Sequence, residues 1–573
     1  MALVLICDLI SRLPYLNEFY GDQGVLPRGA LLTEFSNPAF FSIFNMAGEA
    51  PYLYLFSAFG FLIYFAFLLG YQTRLANLLS WIFFVSFTAR NPVIAHGGDD
   101  LIRMALFWLL FLPSHAFYSV DRALTSDADP RPPTRILNLA SFSFFLQLIL
   151  MYFSTALLKW HPRWVSEGSA IYYSLQLDQF ITVFGAWFRE FPLSVLQAMT
   201  FVTLWAELVI PLLIFIPFRE SFFRWIAIGT FISFHFGLFL FFRLGSFPWI
   251  CIAYWLAFIP ESFWQGSIEK LKVRQKALVI FYDGDCGYCL KMVSLIRTFL
   301  ILPFVEVRKA QENPVLFSLM KEKNSWLVKQ TGNGDASFHF QAFLDLLKIS
   351  PFHFLNFIFS KRIFLEIGGR LYRWQALRRP LMGSLLQRLK LQSLRVKSRL
   401  SIQIFVTLCL AVVLYWNIAV FDRDDSVQLP KAVEKFGSYL RLHQQWNMFA
   451  PYPWMEDGWL VVEGQLLNGK SWDVLYDQPV SFEKPENMQS KFPTTFWIKY
   501  IVNIWHKNYK EHRLYFGRFI CRLWNNRHEG DERVNTFKIF YMLEVSPPPG
   551  EAPAPIRQEE IWSHYCLEKP ANP

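Results

Sequence analysis

Charge is what this chain has least of. Asp, Glu, Lys and Arg make up 17% of its 573 residues, against roughly 25% in an ordinary soluble domain. With 53% hydrophobic residues and a mean hydropathy of +0.25, that shortage excludes a chain that is water-soluble throughout. Cysteine is sparse too. Seven scattered residues rule out a small disulfide-stapled scaffold. No second Cys-x-x-Cys accompanies Cys286 and Cys289, only His339 and His353 stand near them, and no metal is expected. Met1–Leu5 lacks a basic leader and no small-residue cleavage site follows, so no removable signal peptide is expected. The net charge of +10 lies mostly on the flanks of apolar runs, which reads as a topology signal; no nucleic-acid partner is expected.

Aromatics, by contrast, are plentiful. The 61 phenylalanines and 21 tryptophans suit lipid-facing helices and interfacial belts. No charge falls between Glu49 and Arg74, enough for a span at ~20 residues per bilayer. Leu75–Ala95, Met104–Val120, Ile136–Leu158, Phe191–Phe218, Trp225–Phe242, Leu244–Pro260 and Leu400–Phe421 are comparable, with Arg90 and Glu207 inside two of them. The short run Met1–Ile10 counts as a first span. The prediction is a mainly α polytopic bundle of eight or nine spans.

Basic residues recur on alternate connections: Arg74; Arg122, Arg131 and Arg135; Arg219 and Arg224; then Lys270, Lys272, Arg274 and Lys276. The positive-inside rule places these, and the amino terminus, in the cytoplasm. "RRPLMGSLLQRLKLQSLRVKSRL" before the last span is basic and inside as well. The tail after Asp422 then lies outside, as for a bacterial inner-membrane protein. Four regions follow: a bundle over 1–262, a cytoplasmic domain over 276–399, a last span at 400–421 and a β-rich outer domain over 422–573. "SPPPGEAPAP" near the end reads as an extended linker.

In the cytoplasmic region, Ala277–Tyr282 is β-prone and Leu290–Leu302 has helical apolar spacing. Strand, turn, Cys-x-x-Cys and helix put Cys286 at a helix amino terminus, where dipole and free amides favour thiolate. Cys286 is the expected nucleophile and Cys289 its resolving partner. Further strands are expected at Phe304–Val307, Ser325–Gln330 and Ala336–His339 around a "TGNGD" turn, with a helix from Phe340. "YDGDCGYC", with "GGRLYRWQALRR" downstream, resembles the DCC family of predicted thiol–disulfide oxidoreductases over about Lys276–Arg379. That resemblance implies an inserted thioredoxin-like α/β fold and a cytoplasmic thiol partner. A redox-inert relic is the competing reading.

Ionisable groups within a bilayer are costly, and each is a functional candidate by default. Arg90, Glu207 and His235 lie inside expected spans, and Lys159 ends one. The bland alternatives are paired charges that lock helices together (Arg90, Glu207, Asp99), a packing histidine, and a lysine that snorkels to the interface.

"SRLPYLNEFYGDQGVLPR", "LLGYQTRLA", "RNPVIAHGGDDLIR" and "FYSVDRAL" resemble the bacterial HTTM domain, related to vitamin K-dependent γ-glutamyl carboxylase. "LQLILMYFSTALLKWHPRW" and "SFHFGLFLFFRLGSF" are similar to the carboxylase itself, with Lys159 at its lysine and His235 on its histidine helix. The resemblance implies reduced vitamin K or menaquinol as cofactor, and O2 and CO2 as co-substrates. Its chemistry needs a neutral lysine, Lys159, expected beside Trp160 and Trp164, assisted by His235; Arg90, Asn91, His96 and Trp164 are the expected cofactor-binding residues. Where the animal carboxylase carries Asn-His, this chain reads Asn91-Pro92, which bears on CO2 addition more than on quinol oxidation; His96 lies one helical turn away. "QQWNMFAP" is similar to the tail of HTTM proteins, and the outer domain is expected either to bind a protein or peptide substrate or to cap the bundle. Cys521 and Cys566 could pair there. The expected function is a membrane enzyme that oxidises a quinol with O2. The alternatives are a dithiol–quinone relay through the cysteine pair and a non-catalytic scaffold or transporter.

Overall fold

The computed structural model describes the chain except residues 36, 38, 126–135, 332–334, 389–398, 422–426 and 568–573. Arg131, Arg135, most of the "TGNGD" turn and much of the basic run before the last span therefore lie outside the described residues.

The chain is mainly helical, and among the described residues five helices are long and apolar enough to cross a membrane: Ala50–Leu69, Leu139–Leu158, Leu193–Phe215, Glu220–Phe241 and Leu400–Phe421. Leu139–Leu158 is the hub, with 61% of its apolar window buried against 22–28% for the others. The bundle helices used below are α1 (Ala2–Arg12), α2 (Ala50–Leu69), α3 (Thr73–Arg90), α4 (Gly97–Leu109), α5 (Leu139–Leu158), α6 (Leu193–Val209, running into a 3-10 turn at Pro211), α7 (Glu220–Phe241) and α8 (Phe247–Trp255). Helix α5 packs against α4, α6 and the last span.

Four expected spans take other forms. The first is α1, of 11 residues. Leu75–Ala95 becomes α3, too polar to be counted with the five. Met104–Val120 is not one helix: α4 starts earlier, at Gly97, and stops at Leu109. Leu244–Pro260 gives only the short apolar helix Phe247–Phe258. The physical reason is enclosure. Leu101, Ile102, Met104, Ala105, Leu106 and Trp108 of α4 are fully buried by neighbouring helices, and an apolar stretch of that length is core whether or not lipid lies beyond it. His96 caps α4, its Nδ1 accepting from Gly98 N–H while Asp99 accepts from His96 N–H. Asp99 also pairs with the buried Arg12 at 2.8 Å, and Arg12 holds Asp8 at 2.8 Å, locking α1 to α4.

Helix α9 (Glu261–Gln275) leads to an α/β unit: β1 (Leu278–Tyr282), α10 (Gly287–Phe299), β2 (Glu306–Lys309), β3 (Leu327–Gln330), β4 (Ala336–Phe338), α11 (His339–Ile349), α12 (Arg362–Leu377) and α13 (Arg379–Arg388). The sheet order is β2-β1-β3-β4, with β1 parallel to β2 and the other pairs antiparallel. Strand alternation sends Ile280 and Tyr282 to one core and Val279 and Phe281 to another. After the last span, α14 (Leu400–Phe421), comes a sheet in the order β6-β5-β7-β8: β5 (Glu456–Leu466), β6 (Ser471–Asp473), β7 (Val534–Val545) and β8 (Arg557–Tyr565). Helix α16 (His512–Asn525) packs with it and α15 (Thr495–Trp505) touches it through Trp505, stacked on Tyr541, so the expected β-rich domain is α+β. The hairpin falls at Asn468-Gly469, where Gly469 takes φ +82. The proline-rich stretch is no linker: it joins β7 to its antiparallel partner β8. A disulfide between Cys521 and Cys566 fastens α16 to the end of β8.

One buried core runs from the bundle into this last domain, through Leu442, Trp446 and Trp459, while the cysteine-bearing unit keeps cores of its own.

Candidate functional site

A cavity of about 560 Å³ opens where α5, α6 and α7 meet the segment 445–454 and α15. Its walls are largely aromatic and aliphatic, including Phe188, Phe234, Leu238, Phe241 and Phe247. Lys159, His235, His96 and Trp164 all line it, so four of the expected site residues come together there.

Lys159 is the residue on which α5 ends. Its ammonium is buried, bonded to both carboxylate oxygens of Glu207 on α6 at 2.9 and 2.6 Å, and stands 4.6 Å from the Trp164 ring. The lysine does not snorkel, nor does Trp160 wall it: that ring is exposed and turned toward Trp205. Trp164 is fixed by its own indole N–H, which donates to the Phe449 carbonyl at 3.1 Å.

His235 is buried on α7, and its Nε2 meets the Tyr152 hydroxyl at 2.5 Å. The Trp255 indole donates to that hydroxyl at 2.9 Å. An indole can only donate, so Tyr152 accepts from Trp255. His235 Nδ1, on the other side of the ring, is buried and has no protein partner.

Two expected cofactor-binding residues do not reach the cavity. Arg90 donates to the Leu26 carbonyl at 2.8 Å and to that of Gly21, and Asn91 donates to Phe19 at 2.9 Å while capping the turn at Pro92. Both Arg90 Nη atoms and the Asn91 amide are committed to backbone, because the N-terminal segment between α1 and α2 leaves carbonyls there that need donors. Cys286 and Cys289 lie elsewhere as well, in the α/β unit.

Sequence reasoning missed several wall residues. Tyr152 could have been found, since Tyr152, Thr155 and Lys159 are spaced to share one helix face. Arg243 and Lys499 gave no such signal. Arg243 donates to the Phe492 carbonyl at 2.6 Å but leaves a buried Nη1 without a partner. Lys499 of α15, whose ammonium is disfavoured chiefly by burial, has Asp99 as its charge neighbour; Asp99 is already bonded to Arg12. Glu207 is the sole carboxylate among the described lining residues, and it is paired with Lys159. The "QQWNMFAP" stretch closes the wall: Gln444 accepts from Gln147 at 2.6 Å and from Trp446 at 2.9 Å, seating Met448 and Phe449 over the opening.

The cysteine pair has a separate geometry. Cys286 caps α10, its sulfur accepting from Cys289 N–H at 3.3 Å. Burial, reinforced by Cys286, pushes the Cys289 thiol up to about 12. Gln311 holds the preceding loop, accepting from Gly284 N–H and donating to Asp283. A smaller apolar cavity of about 200 Å³ adjoins Cys289, with Trp326, Phe340 and Tyr372 in its wall.

Residues 28–264 match the HTTM domain. No curated protein and no solved structure matches the chain. The HTTM segment contains Lys159, Glu207, His235, Tyr152 and Arg243, whereas Phe449 and Lys499, which complete the same cavity, lie outside it.

Proposed function

We propose that the chain is a membrane enzyme of the vitamin K-dependent carboxylase type, oxidising reduced vitamin K or menaquinol with O2 in the cavity. The HTTM domain is associated with that carboxylase family. The observation that carries the reading is the convergence of the Lys159–Glu207 pair and the unpartnered His235 Nδ1 in one aromatic-walled cavity. A reduced quinone oxidised by O2 supplies, when bound, a base strong enough for a glutamyl γ-proton. The cavity suits such a ring in volume, in aromatic lining and in its unpartnered imidazole nitrogen.

The protein's own groups divide the labour. Lys159 accepts a proton only as the free amine, and Glu207 can relieve it of the ammonium proton. The transfer turns an ion pair into a neutral pair and leaves the net charge of the cavity unchanged, which suits an apolar enclosure. His235, in the tautomer that carries its proton on the unpartnered Nδ1, donates to an oxygen that gains negative charge. Arg243 and Lys499 offer positive charge to a carboxylate, which supports an acidic peptide as the second substrate, with CO2 addition as the finer step. His96, in the wall, is the group near the position where Asn91-Pro92 departs from the family. The apolar lining keeps out water that would quench a strong base.

For the cysteine-bearing unit we infer a DCC-type, thioredoxin-like oxidoreductase on the cytoplasmic side of a bacterial inner membrane. The β2-β1-β3-β4 order, and Cys286 at a helix amino terminus with a buried Cys289 behind it, support this. The Cys521–Cys566 disulfide favours an oxidising, extracytoplasmic setting for the last domain. The cavity beside Cys289 favours one second reading, a relay in which the dithiol becomes a disulfide and gives two electrons and two protons to a quinone.

The test is quinone-epoxide formation from reduced vitamin K or menaquinol and O2, by purified protein in lipid nanodiscs. Wild type and Cys286→Ser/Cys289→Ser should form epoxide and Lys159→Ala should not; added glutamyl peptide and labelled CO2 then report carboxylation. No epoxide from any of them sinks the oxygenase reading.

A further inference from the structure

Helix α12 is amphipathic, and much of its apolar side is exposed, although Leu371 also borders the cavity beside Cys289. Ile363, Ile367, Leu371 and Trp374 recur at i, i+4, i+8 and i+11, one stripe of the helix, and are 47–63% exposed. Leu377, at 80%, extends the stripe. The opposite side makes the contacts with the domain. Gly368 lies against the Phe340 ring, which a Cβ would meet at 2.5 Å, and Gln375 donates to the Tyr288 hydroxyl next to Cys289. Just before α12, Phe354 and Phe357 are 64% and 75% exposed.

The charges around this stripe are mostly positive. Lys361, Arg362, Arg370, Arg373 and Arg378 flank it, and Glu366, paired with Arg362 at 3.1 Å, is the one acidic residue between positions 361 and 381. Two of the cations sit over exposed rings: Arg378 4.6 Å from Trp374, and Lys361 5.0 Å from Phe357. Exposed Trp, Phe and Leu side chains rimmed by Arg and Lys are the composition of a helix lying in a lipid headgroup layer. A second copy of the chain fits poorly, because a two-fold contact would set this arginine cluster against itself. The domain is also tethered close to lipid at both ends, by the bundle through α9 and by the span that begins at Leu400.

We propose that α12 and the Phe354–Phe357 turn dock the cysteine-bearing domain onto an anionic lipid surface, with Ile363, Ile367, Leu371 and Trp374 in the acyl boundary and the arginines at headgroup phosphates. Because the inner side of α12 holds Tyr288, docking fixes the orientation of the Cys286–Cys289 helix relative to the membrane.

The test uses the full-length chain with Cys7, Cys286 and Cys289 replaced, and one new thiol, Ile367→Cys, Leu371→Cys or Glu366→Cys, carrying a polarity-sensitive fluorophore. Nanodiscs of phosphatidylcholine are compared with others containing about one-third phosphatidylglycerol. Labels at 367 and 371 are expected to emit at least about threefold more strongly, and bluer, than the label at 366. The contrast should grow with anionic lipid and shrink on adding about 0.5 M NaCl. Equal, water-like emission at all three positions overturns the proposal. Shielding that is indifferent to lipid charge, but rises with protein concentration in detergent, overturns it in favour of a second copy. Hydrogen exchange of 354–377, expected to be slower in anionic than in neutral nanodiscs, measures the same docking without any substitution, and equal exchange in both overturns it.

Discussion

Lys159 and Glu207 are 48 positions apart in sequence and meet in space, whereas Cys286 and Cys289 share one turn of one helix. The first pair depends on two helices, a tryptophan seated by the Phe449 carbonyl and a wall supplied by the last domain. The second depends on a strand, a loop held by Gln311 and a helix start. The groups of the shared enclosure are thus assembled from distant segments, while the thiol pair is local and half-buried. The first should be sensitive to damage almost anywhere in the continuous core, and the second insulated from it.

The largest expected effect tests the assembled site. Lys159→Met strands the Glu207 carboxylate in an apolar wall and should cost ~3–5 kcal/mol. Lys159→Met/Glu207→Leu should recover most of that loss in thermal unfolding and still form no epoxide. If the double variant is active, the pair is only a lock between α5 and α6. Next, Cys521→Ala/Cys566→Ala removes a crosslink across 45 positions, expected to cost ~2–4 kcal/mol. Because the core is continuous, cavity activity should become heat-labile with it, while alkylation of Cys286 stays unchanged. Equal loss at both sites would refute the separation of the two units.

A smaller effect concerns the thiols. With Cys289 pushed up to about 12, little of it is thiolate at pH 8, and Cys286 should be alkylated at least ~10-fold faster by mass spectrometry. Equal rates would remove the nucleophile and resolving-partner assignment.

The smallest is a pH dependence where the loop after Lys159 meets the last domain. Asp457 accepts from Asp178 N–H, and burial with nearby Asp178 raises its carboxyl from 3.8 to about 7. The folded state keeps that proton over a range where the unfolded chain has lost it. Stability from this group is therefore full below about pH 4 and is lost as pH rises through about 7. Asp457→Asn should flatten that part of the melting-temperature profile, whatever it does to the absolute value.

Local signals were legible. Uncharged runs announced the five long apolar helices, Asn468-Gly469 the hairpin, and Asp-Gly-Asp-Cys-x-x-Cys the helix-capping cysteine. Lys159 and His235 stood out because ionisable groups at apolar spans are costly. Span number was less legible, since an apolar run such as that of α4 reads alike whether lipid or protein surrounds it. Arg90 read as a ligand for the same reason that Lys159 did, and Asn91 through the resemblance to the carboxylase Asn-His pair. Nothing in the sequence said that backbone carbonyls of Phe19, Gly21 and Leu26 would claim them.

By itself, then, the sequence determined the class of environment, the helices and the cysteine motif, because those follow from composition and from contacts a few residues apart. Only the tertiary structure decided that Glu207 faces Lys159, that Tyr152 lies between Trp255 and His235, and that Arg243 and Lys499 line the same cavity. Charge pairing and enclosure depend on distances between segments tens to hundreds of residues apart, and no local pattern records them.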